Sequence, residues 1–197
     1  MKKAEFTLIG KKPFLFHKFN IESITDTKKP KEGGAGNSPS EWKTTLFADG
    51  KKLYIPGNYF FSSLVAGGKY VKIGRGTVSK NLAGTLEICN EKYYFLNRAL
   101  PEKIEDLTNE NIGVDSSKDI YLDIRMVSNP NTKGKNVRYR LALKAGWKIN
   151  CSIAWDDSVI SKDQIMRCAE AAGQFSGIGD ARAIGYGRFT IDEFKII

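Results

Sequence analysis

Residues 173–189 read GQFSGIGDARAIGYGRF, a segment in which glycine occurs five times and arginine twice. Glycine has no Cβ atom, so its backbone can adopt positive φ angles and can approach a ligand closely. Arg182 and Arg188 are permanently charged, and each can offer a fork of donors to a phosphate or a carboxylate. The combination predicts a loop that holds an anion with main-chain N–H groups and guanidinium groups together.

The same segment also has a purely structural interpretation. A helix can end between Gly173 and Gly177. Gly185 and Gly187 can form a bulge before a strand, and the two arginines can pair with nearby aspartates. Two familiar phosphate-binding motifs are excluded, because Arg182 stands where a dinucleotide-binding motif needs its third glycine and no P-loop lysine is present.

The composition is that of a globular protein with excess positive charge. The 197 residues are 41% hydrophobic, which predicts a single domain over residues 1–197 that carries inserted segments. The formal net charge is +9 and the pI is about 9.4. A basic surface favours acidic partners, and nucleic acid is favoured over a membrane because no basic amphipathic helix is present in the pattern.

The cysteines indicate a reducing environment. Cys89, Cys151 and Cys168 are odd in number, and none belongs to a Cys-x-x-Cys pair. This spacing supports neither a disulfide framework nor a zinc site, so we expect no metal and no cofactor. An alternating pattern begins close to Met1, without an apolar run of signal-peptide or membrane-span length, and we therefore expect a cytoplasmic protein.

The hydrophobic pattern predicts two strand–helix–strand units. The first has a strand at 4–19, a helix from Pro56 to Gly67-Gly68, and strands between 82 and 96. The second has a hairpin of strands at 137–143 and 148–155, a helix that begins at Ser161, and a strand at 186–197. This order predicts an α+β, ferredoxin-like (RRM-like) fold, in which an antiparallel sheet carries two helices on one face.

Two segments interrupt this order. Residues 26–40 are rich in Gly, Pro, Ser and Lys and predict a flexible basic loop. Residues 87–123 contain nine acidic and four basic residues, so we expect an acidic-leaning insertion that faces away from any nucleic acid.

Two basic segments provide candidate nucleic-acid contacts. Residues 69–80 contain four basic residues and residues 125–155 contain seven, and neither segment contains an acidic one. Lys and Arg bind the phosphate backbone and Tyr rings stack on unpaired bases, although a solvated surface would show the same composition. The candidates are Lys69, Tyr70, Lys72, Arg75, Lys133, Lys135, Arg138, Tyr139 and Arg140.

The segment at 177–189, which follows a predicted helix and leads into a predicted final strand, resembles the glycine-rich loop of the RAMP superfamily. These are the RNA-binding proteins of CRISPR systems, and they include crRNA-binding backbone subunits and repeat-cleaving nucleases; phages and mobile elements also carry relatives. The resemblance covers mainly residues 161–197, with weaker support from 4–40. It implies RNA contacts, CRISPR effector proteins as partners and a homo-oligomer along RNA. The positions that it implies are Gly177, Gly179, Arg182, Gly185, Gly187 and Arg188.

Catalysis has only two candidates. His17 is the only histidine and could act as a general acid–base in RNA cleavage, as histidines do in repeat-processing members of the resembled family. Asp26 lies in a loop comparable to the one that carries a cleaving aspartate in some backbone subunits. We interpret the chain as a binder of RNA or another single strand. The alternatives are a phage-encoded protein-interaction factor that mimics a CRISPR subunit, and an RNA endonuclease that uses Asp26 or His17.

Overall fold

The structure is a computed structural model that describes residues 1–19, 40–102, 107, 118–128 and 134–197. Within the predicted loop at 26–40 only Ser40 is described, so the prediction of a flexible loop and the candidates Asp26 and Lys133 lie outside the described residues. Hydrophobic side chains from both ends of the chain form one buried cluster, which includes Phe6, Phe60 and Trp147.

Short strands and a few longer ones make up most of the regular structure. The strands are β1 (Lys2–Gly10), β2 (Phe14–Leu15), β3 (Ala48–Asp49), β4 (Lys52–Pro56), β5 (Lys72–Ile73), β6 (Gly76–Thr77), β7 (Glu87–Ile88), β8 (Lys92–Ala99), β9 (Ile120–Ser128), β10 (Lys135–Leu143), β11 (Lys148–Trp155) and β12 (Phe189–Ile196). The helices are α1 (Trp42–Thr45), α2 (Gly57–Gly67), α3 (Ser79–Thr85) and α4 (Lys162–Ala171).

The main sheet has the strand order β12-β1-β11-β8-β4-β3, and β7 pairs with β11. All of these pairings are antiparallel. Strand β1 lies between β11 and β12, and its alternate residues Ala4, Phe6 and Leu8 are fully buried because they point at the helices. The chain runs β1–α2–β8 and then β11–α4–β12, which confirms the predicted antiparallel α+β fold with two strand–helix–strand units.

Helices α2 and α4 pack closely against each other. A Cβ atom added to Gly67 on α2 would collide with the backbone of Cys168 and Ala172, so only glycine permits this approach. The predicted start of α4 is confirmed, since Ser161 and Gln164 form a capping box there. The predicted helix after Pro56 is also confirmed, because α2 begins at Gly57 and ends at Gly67.

Two predicted elements are wrong. The segments 137–143 and 148–155 do not form a hairpin, because β10 pairs with β2 and β9 in a second sheet whereas β11 lies in the main sheet. The chain passes from one sheet to the other at Gly146, where φ is +92°, and Trp147 is buried after it. Residues 82–85 were predicted to belong to a strand, but they form the end of helix α3. Leu82 is buried in this helix, and its burial stabilises the helical packing.

The acidic-leaning segment at 87–123 is partly built into both sheets. Residues 87–99 include β7 and β8 of the main sheet, and β9 begins at Ile120 and pairs along its length with β10. Asp123 lies on β9 opposite Arg140 and is only 1% exposed. One of the segment's carboxylates is therefore buried beside a predicted RNA-contacting arginine.

Candidate nucleic-acid interface

The glycine-rich loop follows α4 through a π-helical turn at Ala172–Ser176 and reaches β12 through a 3-10 turn at Arg182–Ile184. Gly177, Gly179, Gly185 and Gly187 all have positive φ angles, between 65° and 91°. Gly187 also lies against the Ile178 carbonyl, where a Cβ atom has no room, whereas a Cβ at Gly185 would meet nothing within 4 Å. Dense packing thus fixes the loop at Gly187, and backbone conformation alone requires glycine at Gly185.

Many main-chain donors of this loop are used inside the protein. Gly187 N–H donates to the Pro13 carbonyl (2.7 Å) and Asp180 N–H to the Leu15 carbonyl (3.0 Å), which ties the loop to the segment after β1. The N–H groups of 177, 178 and 184–186 also donate to carbonyls within residues 172–187. An anion at this loop would therefore meet mainly side-chain donors and few free main-chain N–H groups.

The loop also docks on the face of the β9–β10 sheet. The Arg140 Nη2 atom lies 3.1 Å from Asp180 Oδ2, as an ion pair without hydrogen-bond alignment. The Tyr186 hydroxyl lies 3.4 Å from Asp123 Oδ2, and the Arg125 guanidinium covers the Tyr186 ring at 4.5 Å. Arg125 in turn pairs with Asp123 at 2.8 Å. An ion pair, a hydrogen bond and a cation–π contact thus hold the loop on strands that are distant in sequence.

Burial raises the pKa of Asp123, and the neighbouring Arg125 and Arg140 lower it in part. Burial and the nearby Asp123 likewise raise the pKa of Tyr121 to about 12, with Arg125 opposing. Asp123 and Tyr121 therefore lie buried beneath the glycine-rich loop and support it.

The predicted residues on β10 are partly engaged within the protein. Arg138 pairs with Glu41 at 2.5 Å, and the Tyr139 N–H donates to the same carboxylate at 3.3 Å. The Tyr139 side chain packs against the buried cluster and is partly exposed. Arg140 pairs with Asp180, and Lys135 is exposed at the start of the strand. Of these residues, Lys135 has the solvent-exposed charge that phosphate contact requires.

Four other predicted residues come together around one cavity. Lys69 and Tyr70 lie in the 3-10 turn that follows α2, and Arg182 and Arg188 lie in the glycine-rich loop. The cavity has a volume of about 400 Å³. Its lining contains three cations and no carboxylate, and consists of Ala66, Lys69, Tyr70, Phe175, Ser176, Arg182, Ala183 and Arg188. Lys72 lies on strand β5, and Arg75 lies in the turn between β5 and β6, directly after this 3-10 turn in sequence. Neither residue lines the cavity.

Phe175 and Ser176 also line this cavity, and the sequence analysis missed both. The Phe175 ring stacks on the Tyr70 ring, with centroids 4.7 Å apart and planes 34° apart. The sequence did contain a signal for Phe175, because it is a large aromatic residue between Gly173 and Gly177, in a segment that also contains two arginines. Interleaved aromatic and basic residues are typical of single-strand binding surfaces.

His17 lies apart from the cavity and is half-buried. Burial lowers its pKa, Asp180 raises it, and Arg140 and Arg138 lower it further. The Tyr59 hydroxyl donates to the His17 carbonyl at 3.1 Å, which holds the backbone but not the ring. Its Nδ1 atom has no hydrogen-bond partner among the residues that the structure describes. Burial thus favours the neutral form of the ring, which lies near Asp180 of the glycine-rich loop.

Comparison with known proteins gives a likeness of fold only. No family model matches the chain, and no curated protein matches it. One solved structure that it resembles is a chain of the type III-B Cmr-beta complex bound to cognate target RNA, studied by cryo-electron microscopy. The TM-score is 0.55 at 10% identity, and the match covers 100% of this chain and 60% of that one.

A second match is a chain of a type IV-B CRISPR complex. The TM-score is 0.45 at 12% identity, with 99% of this chain and 90% of that one covered. By the first of these matches alone, the present chain shares the fold of the matched part of the Cmr-beta complex chain, and it spans 60% of that chain's length. In the described ranges, no helix combines the length and apolar character needed to cross a membrane.

Proposed function

We propose that this protein binds single-stranded RNA as a RAMP-like, single-domain subunit of a cytoplasmic CRISPR-type ribonucleoprotein. The observation that carries the proposal is the convergence of Lys69, Arg182 and Arg188 on one cavity beside two stacked aromatic rings. The likeness of fold to a chain of a target-RNA-bound complex supports it.

The binding mechanism follows from the charges. Each cation neutralises one phosphate and releases condensed counterions, so affinity should fall as salt rises. Three cavity cations alone predict a slope of log affinity against log salt of about −2 on a single strand. Lys72, Arg75 and Lys135, which are exposed or half-exposed, would extend the path of the strand beyond the cavity.

We propose binding without cleavage by His17. The half-buried histidine does not line the cavity, and burial favours its neutral form. A general acid–base must reach the reacting proton directly or through one water molecule. A strand held at the cavity would therefore not present its phosphates to this ring.

The decisive measurement is the affinity for a labelled single-stranded RNA by fluorescence anisotropy between about 50 and 200 mM salt. We expect tight binding at the low end and a steep loss across the range. An RNA that does not bind even at low salt would contradict the proposal and favour a protein-interaction factor.

The family resemblance adds assembly along RNA to the proposal. Light scattering on RNAs of increasing length should then show complexes whose mass grows with the length of the RNA. Complexes that keep one protein per RNA at every length would leave the RNA binding intact and remove the homo-oligomer.

A further inference from the structure

Tyr70 and Phe175 form an exposed aromatic pair at the rim of the cavity. Their side chains are stacked on each other, yet the residues remain 57% and 45% exposed. Tyr70 lies in the turn that ends α2, and Phe175 lies in the turn that ends α4. Gly67 allows these two helices to pack closely, which brings the turns that carry Tyr70 and Phe175 together.

The polar groups beside the pair are almost all donors. Lys69, Arg182 and Arg188 carry positive charge, and the Ser176 and Tyr70 hydroxyls can donate as well. The Nη1 atom of Arg188 is buried and has no hydrogen-bond partner in the described part of the chain. A buried guanidinium N–H without an acceptor is unfavourable. The same guanidinium belongs to a lining residue, so an anion in the cavity would lie beside a positive charge.

The cavity is an open depression of about 400 Å³, a volume within the range for small-molecule sites. It has room for one compact ligand and is open to solvent. The ligand must combine an anion for the arginines with a flat apolar surface for the aromatic pair.

We infer that the cavity binds one unstacked nucleotide, with its phosphate on Arg182 and Arg188 and its base on the Tyr70–Phe175 pair. This inference rests on the proposed function and deepens it. An acidic peptide would satisfy the cations but would leave the stacked rings without a partner. The lining offers two hydroxyls and no amide or carboxylate side chain to read a base edge, so the site tolerates every base.

The nucleotide has two possible sources, a unit of a bound RNA strand or a free mononucleotide, and one experiment with two arms separates them. In the first arm, calorimetry compares AMP, inorganic phosphate and adenosine. In the second arm, single-stranded RNAs carry 2-aminopurine at the 5′ end, in the interior or at the 3′ end, and the fluorescence reports which base leaves its neighbours and stacks on the protein. Binding of AMP assigns the site to a free nucleotide as well as to a strand.

The variants are Tyr70→Ala, Phe175→Ala and the less drastic Tyr70→Leu, which keeps apolar volume without a ring. Tyr94→Ala removes an exposed aromatic residue from strand β8 and is the matched control. We expect one 2-aminopurine position to change in fluorescence, and the three cavity variants to abolish this change and to weaken RNA or AMP binding on the order of tenfold. The control should leave both signals unchanged.

The inference and the proposed function can fail separately. If RNA binds with steep salt dependence but the ring variants bind it as tightly as the unaltered protein and no 2-aminopurine signal depends on them, the nucleotide site is overturned and RNA binding stands. If RNA does not bind but AMP binds in a ring-dependent way, the site stands as a free-nucleotide site and the proposed function falls. If neither RNA nor AMP binds, both are overturned.

Discussion

Arg140 of strand β10 lies 3.1 Å from Asp180 of the glycine-rich loop and joins the second sheet to the candidate RNA-binding surface. From the sequence, Arg140 is a predicted phosphate contact, and Arg182 and Arg188 are possible partners of nearby aspartates. In the structure, Asp180 forms its ion pair with Arg140 instead. This arrangement leaves Arg182 exposed and lets both loop arginines line the cavity.

Asp180→Asn tests this contact directly. The substitution removes the charge that pairs with Arg140, while an amide oxygen can still accept from the Ala181 N–H, as Asp180 Oδ1 does at 2.7 Å. Because the pair is partly buried, we expect a loss of about 1–3 kcal/mol in the free energy of unfolding, measured by urea denaturation.

The same variant should weaken RNA binding without changing the salt slope. A loosened loop holds the binding-competent arrangement for a smaller fraction of the time, but the number of phosphate contacts in the complex is unchanged. A steeper salt slope in Asp180→Asn would mean that Arg140, released from Asp180, contacts phosphate itself.

Arg182→Ala and Arg188→Ala should act on RNA affinity through charge. Each variant should weaken binding to all sequences and reduce the salt slope by roughly 0.7, because each removes one phosphate contact. Arg182 is exposed, so its loss should hardly move the melting temperature, whereas Arg188 is half-buried and should show some loss. Lys52→Ala, on strand β4, is the charge-matched control, and an equal effect there would show that only net charge matters.

The pattern of apolar residues was sufficient to predict strands β1 and β12 and helices α2 and α4. Phe6 and Leu8 alternate along β1, and Ser161 with Gln164 marks the start of α4, so local signals agreed with the final packing. The hairpin at 137–155 was predicted wrongly because alternation gives the strands but not their partners. Strand β10 pairs with β9 and with the distant β2, whereas β11 pairs with β1 near the start of the chain.

The candidate site could be predicted only in part for a similar reason. The chemistry of Lys69, Tyr70, Arg182 and Arg188 was enough to predict them as candidate contacts. Their convergence on one cavity, however, depends on how α2 packs on α4. Nothing local distinguishes Arg138 and Arg140 from phosphate-binding arginines. Their partners Glu41 and Asp180 are distant in sequence and became visible only in the structure.

His17 allows a clean pH measurement, since it is the only histidine in the chain. Burial lowers its pKa below the ordinary value of 6.5, so the folded state binds this proton less readily than the unfolded state. Stability from this group is therefore fully present above pH 6.5 and is lost as the pH falls through the lowered pKa. The imidazole signals in an NMR titration should have a midpoint below 6.5, and a midpoint above it would contradict the described burial.

Gly185→Ala and Gly187→Ala form a matched pair that tests the described loop. Both glycines have positive φ angles, of 91° and 65°, so alanine should cost about 1–2 kcal/mol of stability at either position for its backbone conformation alone. At Gly187 the added Cβ also collides with the Ile178 carbonyl, a backbone atom held by the hydrogen bond from Ile178 N–H to the Gly187 carbonyl at 3.0 Å.

We therefore expect Gly187→Ala to destabilise the protein at least twice as much as Gly185→Ala in urea denaturation. Gly185→Ala should fold and lose RNA affinity only modestly, because the space around this position is open and the arginines remain in place. Equal losses of stability at the two positions would show that Gly187 is not packed against Ile178 in solution. A Gly185→Ala protein that folds normally but no longer binds RNA would instead place the RNA backbone directly against this open glycine, beyond the cavity that holds Arg182 and Arg188.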